Sequence, residues 1–426
     1  MRKETHTLEF FTLLPPEDAV QKYLTVWRPP PPAREMASLD EAAGRVLAQD
    51  VRAEFDVPSF SRSTVDGYAV RAQDTFGATE PAPALFTVIG EVGMGEEAQV
   101  SPGPGEAVRV ATGAMMPTRA DAVVMVEQTE DLGGGSIAVV DDVAPGDNVI
   151  SRGEDLASGE VLLRTGHRLR AQDIGALAAL GMARIPVFER PTVVIISTGD
   201  EIVPPGEEPG PAQVRDINGP ALVAAVRAAA CKACFGGIVK DDEPALLVAM
   251  RSAVERGASA VVLSGGSSVG PLDLTPRIID ALGPPGVVVH GLAAKPGKPT
   301  ILGLCGGMPV FGLPGHPASA LVVFDVVIAP LLRVLCGEAV SRNLMEHLSR
   351  AAIEATLDRS LSSSPGREDY IRVRLERRGS RLFAVPVLGK SGLISTLAKA
   401  DGMIRIPLES DGIEAGQTVR VMLWRI

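Results

Sequence analysis

The sequence predicts a multidomain chain of the α+β and α/β classes, centred on a three-layer α/β domain with β-rich units before and after it. Three observations predict this. Between residues 191 and 337, short apolar runs rich in Val and Ile alternate with helical stretches, the pattern of a parallel sheet covered on both faces. From 51 to 150, and again from 351 to 426, the runs are short, alternating and broken by glycine and proline, as in small β units. At 426 residues with 46% hydrophobic content, the chain also exceeds what one core holds.

Taken in order, residues 7–50 read as helical. Pro15-Pro16-Glu17-Asp18 starts a helix over 19–27, a proline run at 29–32 interrupts, and Ser38 with Glu41 reads as a capping box opening a second helix. The stretches 85–92, 107–110 and 122–128 are strand candidates. Helical spacing returns at Ile174, Leu177, Ala178 and Leu180, so the β unit reads as an insertion into a discontinuous N-terminal domain. This gives 1–55 with 151–188 as that domain, 56–150 as the inserted β domain, 189–338 as the α/β domain and 345–426 as the C-terminal unit. Within the α/β domain, strands are expected at 192–197, 259–263, 287–290, 300–304 and 309–312, and helices at 220–230, 243–256 and 317–335. Strands at 370–375, 382–387, 403–407 and 418–424 suggest a small barrel or sandwich.

A net charge of −11 and a pI near 5.1 argue against a nucleic-acid binder. No signal peptide or run of eighteen apolar residues is evident, which predicts a cytoplasmic protein with no membrane association. The cysteines Cys231, Cys234, Cys305 and Cys336 read as packing residues, since the Cys231/Cys234 pair lacks a second ligand pair. The five histidines show no ligand spacing.

In an open α/β sheet, ligands bind beyond the carboxyl ends of the strands. Four such ends carry unusual residues here: Thr198-Gly199-Asp200-Glu201; Ser264-Gly265-Gly266, continuing to Gly270 and Asp273; Lys295-Pro296-Gly297-Lys298-Pro299; and Leu313-Pro314-Gly315-His316-Pro317, which opens a helix. Glycines let backbone N–H groups approach an anion, hydroxyls add donors, and lysines supply point charges. Only eight of the 41 basic residues are lysines, so two in five residues is a signal. Together the four segments predict a site for a phosphorylated anion. Glu201, Asp216, Asp241, Asp242 and Asp273 stand beside them, where carboxylates either hold a bridging divalent cation or bond an amino-heterocycle. Two further loops, Ser61 to Ala69 around Asp66 and Arg152-Gly153-Glu154-Asp155, combine hydroxyls, cations and acids.

At these residues the chain resembles the molybdopterin molybdenumtransferase family, called MoeA in bacteria and the gephyrin E domain in animals. The matching segments are STVDGYAVR (63–71), RVATGAMMP (109–117), RGEDL (152–156), STGDE (197–201), SGGSSVG with Asp273, KPGKP, GLPGHPASA (312–320), GREDYIRVRL (366–375) and KSGLISTLAKADGMIRIP (390–407). The likeness runs nearly the whole chain in order. It implies a molybdopterin-binding type of α/β domain, an elongated N-terminal domain and a C-terminal β-barrel. It implies an enzyme that inserts molybdate, or tungstate, into adenylylated molybdopterin with release of AMP and help from Mg²⁺. It implies a homodimer whose site lies between the α/β domain of one subunit and the first two domains of its partner. Molybdopterin adenylyltransferase and apo-molybdoenzymes are the partner proteins implied.

Carried over by position, the resemblance assigns catalytic roles to Asp66, Thr112, Asp155, Glu201 and Asp273, with Glu201 and Asp273 at the metal. It assigns substrate binding to Thr198, Gly199, Asp241, Ser264, Gly265, Gly266, Lys295, Lys298, Pro314, Gly315, Pro317 and Ser391. Three positions depart from the family pattern: His316 replaces Asn in LPGNP, Ser267 replaces Val in SGGVSVG, and the basic run before Gly153 is thin. A molybdopterin adenylyltransferase or a non-catalytic scaffold would share parts of this pattern. The set Asp66, Asp155, Glu201, Asp273 and both lysines favours an active insertion enzyme.

Overall fold

Alternation of burial along one strand organises the centre of the molecule. In the computed structural model, which describes residues 13–265, 274–339 and 351–424, Thr192–Thr198 is an interior strand of a six-stranded sheet. The order is Lys232–Val239, Thr192–Thr198, Ala260–Ser264, Met308–Leu313, Ile301–Cys305, Pro285–His290. Val193 and Ile195 pack on one face with helices Pro16–Val26 and Asn218–Ala228 and the helical run from Pro317. Val194 and Ile196 pack on the other with Glu243–Glu255 and Thr275–Ala281, as the two-residue strand period requires. The three layers are therefore present.

The sheet is mixed, where the apolar pattern predicted a parallel one. Five strands run together and Ile301–Cys305 runs against its neighbours. Cys305 pairs with Met308 across Gly306 (φ 56°) and Gly307 (φ 89°), a two-glycine hairpin that only an antiparallel pair can use. The edge strand Lys232–Val239 was not expected either; glycines at 236 and 237 and a register shift beside them hide its period. Cys231 packs against Cys336, Sγ to Sγ 3.5 Å, and all four cysteines are free.

The run Pro317–Leu335 is apolar enough to cross a membrane by composition, with a mean hydropathy of 2.1. Its Ala318, Val322, Phe324 and Leu331 instead fill the core. It widens into a π turn at Phe324–Ile328, just before Pro330, which has no N–H to offer the helical ladder.

In the N-terminal region, Arg34–Ser38 is a strand paired antiparallel with Arg184–Phe188, not part of a helix. The prolines at 29–32 hold the chain extended and deliver it to that pairing. The helix after it is only Leu39–Ala42, and the Ser38 hydroxyl donates to Glu41 Oε2 (3.0 Å) instead of capping a backbone N–H. A second six-stranded sheet follows, in the order Ala122–Met125, Gly67–Val70, Glu106–Val110, Ala84–Val92, Ser136–Val139, Thr129–Gly133. The chain enters and leaves it through the paired segments Arg62–Ser63 and Val149–Ile150.

Near the C-terminus, Glu368–Arg378 pairs with Arg381–Pro386 on one side and Gly402–Ile406 on the other. Ala352–Leu357 and Thr418–Leu423 complete the ring, so five strands close into a barrel and leave no sandwich. Ala294–Lys295 joins that barrel by pairing in parallel with Glu368–Asp369. This pairing brings the lysine turn of the central domain against the barrel.

Candidate functional site

Parallel register places three of the sequence-predicted segments at one edge of the central sheet. Ser197 is level with Ser264, and Ser264 with Leu313, so Thr198-Gly199, Gly265 and Pro314-Gly315 leave the sheet together. Gly265 has φ 111°, and a Cβ on it would overlap the Thr198 carbonyl oxygen and lie 2.8 Å from Thr198 Oγ1. Only glycine lets the backbone turn this close. A Cβ on Gly315 would come 3.6 Å from the Cα of Gly265. Asn218, 8% exposed, ties the edge together: its Nδ2 donates to Ser264 Oγ (2.8 Å) and to the Gly315 carbonyl (2.8 Å). Its buried Oδ1 has no partner among the described residues. Sequence reading missed Asn218, because an Asn at a helix start reads as a cap.

Gly265→Ala is expected to cost about 2–4 kcal/mol, from overpacking and a strained positive φ. Chemical denaturation measures it, and an unchanged midpoint would contradict the close approach.

The acidic residues at this edge divide by role. Asp216 is structural: it accepts from Ser197 Oγ (2.8 Å) and from the Gly219 N–H (2.9 Å), fixing the start of Asn218–Ala228. Asp242 caps Glu243–Glu255 by accepting from the Ala245 N–H (3.0 Å). Asp241 differs. Burial holds its carboxyl above the usual range, the Thr198 hydroxyl opposes this, and Asp200 and Glu201 push it further up. The Gly199 N–H donates to the Val239 carbonyl (3.2 Å), which draws the Asp200-Glu201 turn beside the Asp241 segment. Among the described residues no group of three His, Cys, Asp or Glu side chains is arranged to hold a metal ion. Gly266 and Asp273 lie outside the described residues.

The lysine turn opens onto a cleft of about 630 Å³ between the central domain and the barrel. Lys295, Lys298, Arg367, Arg372 and Lys390 line it with His316 and Ser391, and among the described residues no carboxylate does. Gly297 (φ 123°) is needed at the turn because a Cβ would collide with Val323 Cγ2. The Thr300 hydroxyl donates to the Gly297 carbonyl (2.7 Å) and holds the turn in place. The Ala318 N–H donates to the Ser391 carbonyl (3.0 Å), joining the helix start to the barrel loop. Pro314 and Pro317 are buried and shape the backbone here.

Arg372 is the least expected member. It is 7% exposed, its Nη2 donates to the Gly389 carbonyl (2.8 Å), and its Nε has no partner among the described residues. Burial lowers its pKa, although a guanidinium stays charged. A buried cation on the wall of a cleft lined by no carboxylate among the described residues favours an anionic ligand. Arg367 is set by Asp369, 1% exposed, whose Oδ1 accepts from its Nε at 3.0 Å. Sequence reading missed Arg367, Arg372 and Lys390. Arginines within an alternating strand read as its solvent face.

A third group forms in the N-terminal half. Asp66 Oδ1 accepts from both the backbone N–H (2.7 Å) and the hydroxyl (3.0 Å) of Thr112. These bonds, the backbone one first, lower the Asp66 pKa, with Arg109 adding attraction. The Gly113 N–H donates to the Ser63 carbonyl (2.8 Å), Val149 pairs with Ser63, and the Arg152 N–H donates to Ser61 Oγ (3.1 Å). The three motifs holding Asp66, Thr112 and Asp155 thus converge through backbone bonds, and Asp66 and Asp155 are exposed. Arg152, paired with Asp56 at 2.8 Å, anchors the loop. Neither Asp66, Thr112 nor Asp155 lines the basic cleft.

Three family models match the chain: the MoeA N-terminal region (domain I and II) over residues 14–181, a probable molybdopterin binding domain over 194–334, and the MoeA C-terminal region (domain IV) over 354–424. The chain is 33% identical over 395 residues to a molybdopterin molybdenumtransferase of Bacillus subtilis (strain 168), covering 92% of this chain and 90% of that one. It is 34% identical over 390 residues to molybdopterin molybdenumtransferase 2 of Mycobacterium tuberculosis, covering 91% and 93%. Among solved structures, a molybdopterin biosynthesis moeA protein from Pyrococcus horikoshii OT3 superposes with a TM-score of 0.81 at 32% identity, covering 97% of this chain and all of the other.

Proposed function

The chain belongs to the MoeA family of molybdopterin molybdenumtransferases, transferases of molybdenum cofactor biosynthesis that act on molybdopterin, and from that membership we propose how its residues serve the reaction. The substrate is adenylylated molybdopterin, molybdate is inserted into its dithiolene, and AMP leaves. The observation that carries this reading is the cleft that, among the described residues, is lined by five cations and no carboxylate, with the buried Arg372 only partly partnered. Lys295, Lys298 and Arg372 hold an oxyanion or phosphate, with Ser391 beside it. The glycine edge formed by Thr198, Gly199, Ser264, Gly265 and Gly315 admits the flat pterin, and Asp241 bonds its amino-pyrimidine edge.

The acidic edge also fits a hard divalent cation. Asp200, Glu201 and Asp241 are oxygen ligands for such an ion; burial first, then repulsion from Asp200 and Glu201, raises the Asp241 pKa, and a bound cation would relieve the repulsion. Glu201, with Asp273 from the family pattern, would hold Mg²⁺, whose charge would steady the departing phosphate.

Asp66, Thr112 and Asp155 complete the site from a second subunit of a homodimer. Thr112 holds Asp66 ionised, ready to accept hydrogen bonds from substrate. The protein works in the cytoplasm, receives its substrate from molybdopterin adenylyltransferase and passes product to apo-molybdoenzymes.

The test is stoichiometric. Purified protein with adenylylated molybdopterin and Mg²⁺ is expected to release AMP only when molybdate is added, and to yield cofactor that activates an apo-molybdoenzyme. Molybdate-independent AMP, or consumption of ATP with molybdopterin, would overturn the assignment.

A further inference from the structure

Three parallel strands end side by side at the glycine edge, and the turn into Asn218–Ala228 ties them together. Asp216 takes the first, Thr192–Thr198, by accepting from the Ser197 hydroxyl (2.8 Å). Asn218 takes the other two. Its Nδ2 donates to Ser264 Oγ (2.8 Å), at the end of Ala260–Ser264, and to the Gly315 carbonyl (2.8 Å), just beyond Met308–Leu313. The turn is packed so closely that a Cβ on Gly219 would come 2.3 Å from Asp216 Oδ2 and 2.9 Å from Ser197 Oγ. Asn218 is therefore held firmly from behind.

Counting hydrogens fixes the polarity of this arrangement. An amide nitrogen has two hydrogens to give, and a carbonyl oxygen can only accept. The bond to Gly315 thus decides which end of the Asn218 amide faces the edge. Both hydrogens are then used, and Ser264 Oγ is an acceptor toward Asn218, so its own proton points elsewhere. No described residue receives that proton. Ser264 is 2% exposed, so bulk water is a poor substitute for a partner. Asn218 Oδ1, buried without a partner among the described residues, carries a cost that an apolar residue of similar size would avoid. Resting on the reading of this edge as the platform for the pterin, we propose that Asn218 is a positioning residue for substrate. It holds the Ser264 hydroxyl as a fixed donor toward an acceptor atom of the pterin, and it keeps the Gly265 and Gly315 backbones at their close approach.

A double-mutant cycle on the full chain tests this, with initial rates of molybdate-dependent AMP release as the readout. Ser264→Ala is expected to raise the KM for adenylylated molybdopterin about five- to tenfold, the worth of one hydrogen bond to substrate, and to leave kcat within about twofold. Asn218→Ala is expected to raise KM by a similar factor, since an unanchored hydroxyl no longer keeps its proton toward the ring. In the double variant the second substitution is expected to add less than about twofold, because both remove the same bond. Asn218→Asp keeps the side-chain shape but only accepts, so it is expected to capture the Ser264 proton and raise KM at least as far. It also completes the cycle should the Ala variant fold poorly. KM effects that multiply, or an Asn218 variant with wild-type KM, overturn the positioning role and leave the platform reading in place. A Ser264→Ala enzyme with wild-type KM removes both, as does a wild-type chain with no molybdate-dependent turnover.

Discussion

Replacing Lys295 and Lys298 together with alanine is expected to weaken molybdate and substrate binding about a hundredfold at low salt, roughly tenfold for each charge-assisted contact. Both side chains are exposed at the cleft mouth, so their attraction is screened and the deficit should shrink as salt is raised. Arg372→Met should behave differently. Its guanidinium is buried, beyond effective screening, and its loss should cost a similar factor at every ionic strength. Titration calorimetry at two salt concentrations distinguishes the two. A salt-independent deficit in the lysine variant would remove the argument from exposed charge, and an unaltered affinity in Arg372→Met would remove the cleft.

The lysine turn was legible in the sequence for a physical reason. Lysine is scarce in this chain, and the prolines and glycine around Lys295 and Lys298 mark a turn that continues neither a helix nor a strand past Lys295. Arg372 was illegible because its meaning depends on barrel closure. One strand, Glu368–Arg378, bonds to neighbours on both sides and to Ala294–Lys295, which turns an alternating arginine inward onto a cleft. Likewise the alternation of 192–313 was read correctly except for the edge strand Lys232–Val239 and the strand that the Gly306-Gly307 hairpin reverses. Ser38 does open a helix as its N-cap, but the helix is a single turn, Leu39–Ala42, and the capping-box bond is missing; Ser38 also pairs with Arg184, 146 residues away, which no local signal shows. Local signals gave the elements. Distant pairings determined which side chains face a ligand.

The same limit separates the two halves of the site. Asp66, Thr112 and Asp155 gather in the N-terminal half, the basic cleft and the glycine edge belong to the other, and none of the three acid-side residues lines the cleft. The proposed composite site has a second copy of the chain supply one half. In a two-fold dimer each subunit then gives Asp66 to one site and Glu201 to the other. Asp66→Ala and Glu201→Ala homodimers should each be inactive, since every site carries a lesion. Co-refolded in equal amounts, half of the dimers are mixed. In each of these one site carries both lesions and the other carries none.

The most direct measurement is therefore molybdate-dependent AMP release by that mixture. Recovery to about a quarter of the wild-type rate is expected, the share of intact sites in a random two-fold assembly. A mixture as inactive as its two components, with mixed dimers verified by mass, would contradict the composite site.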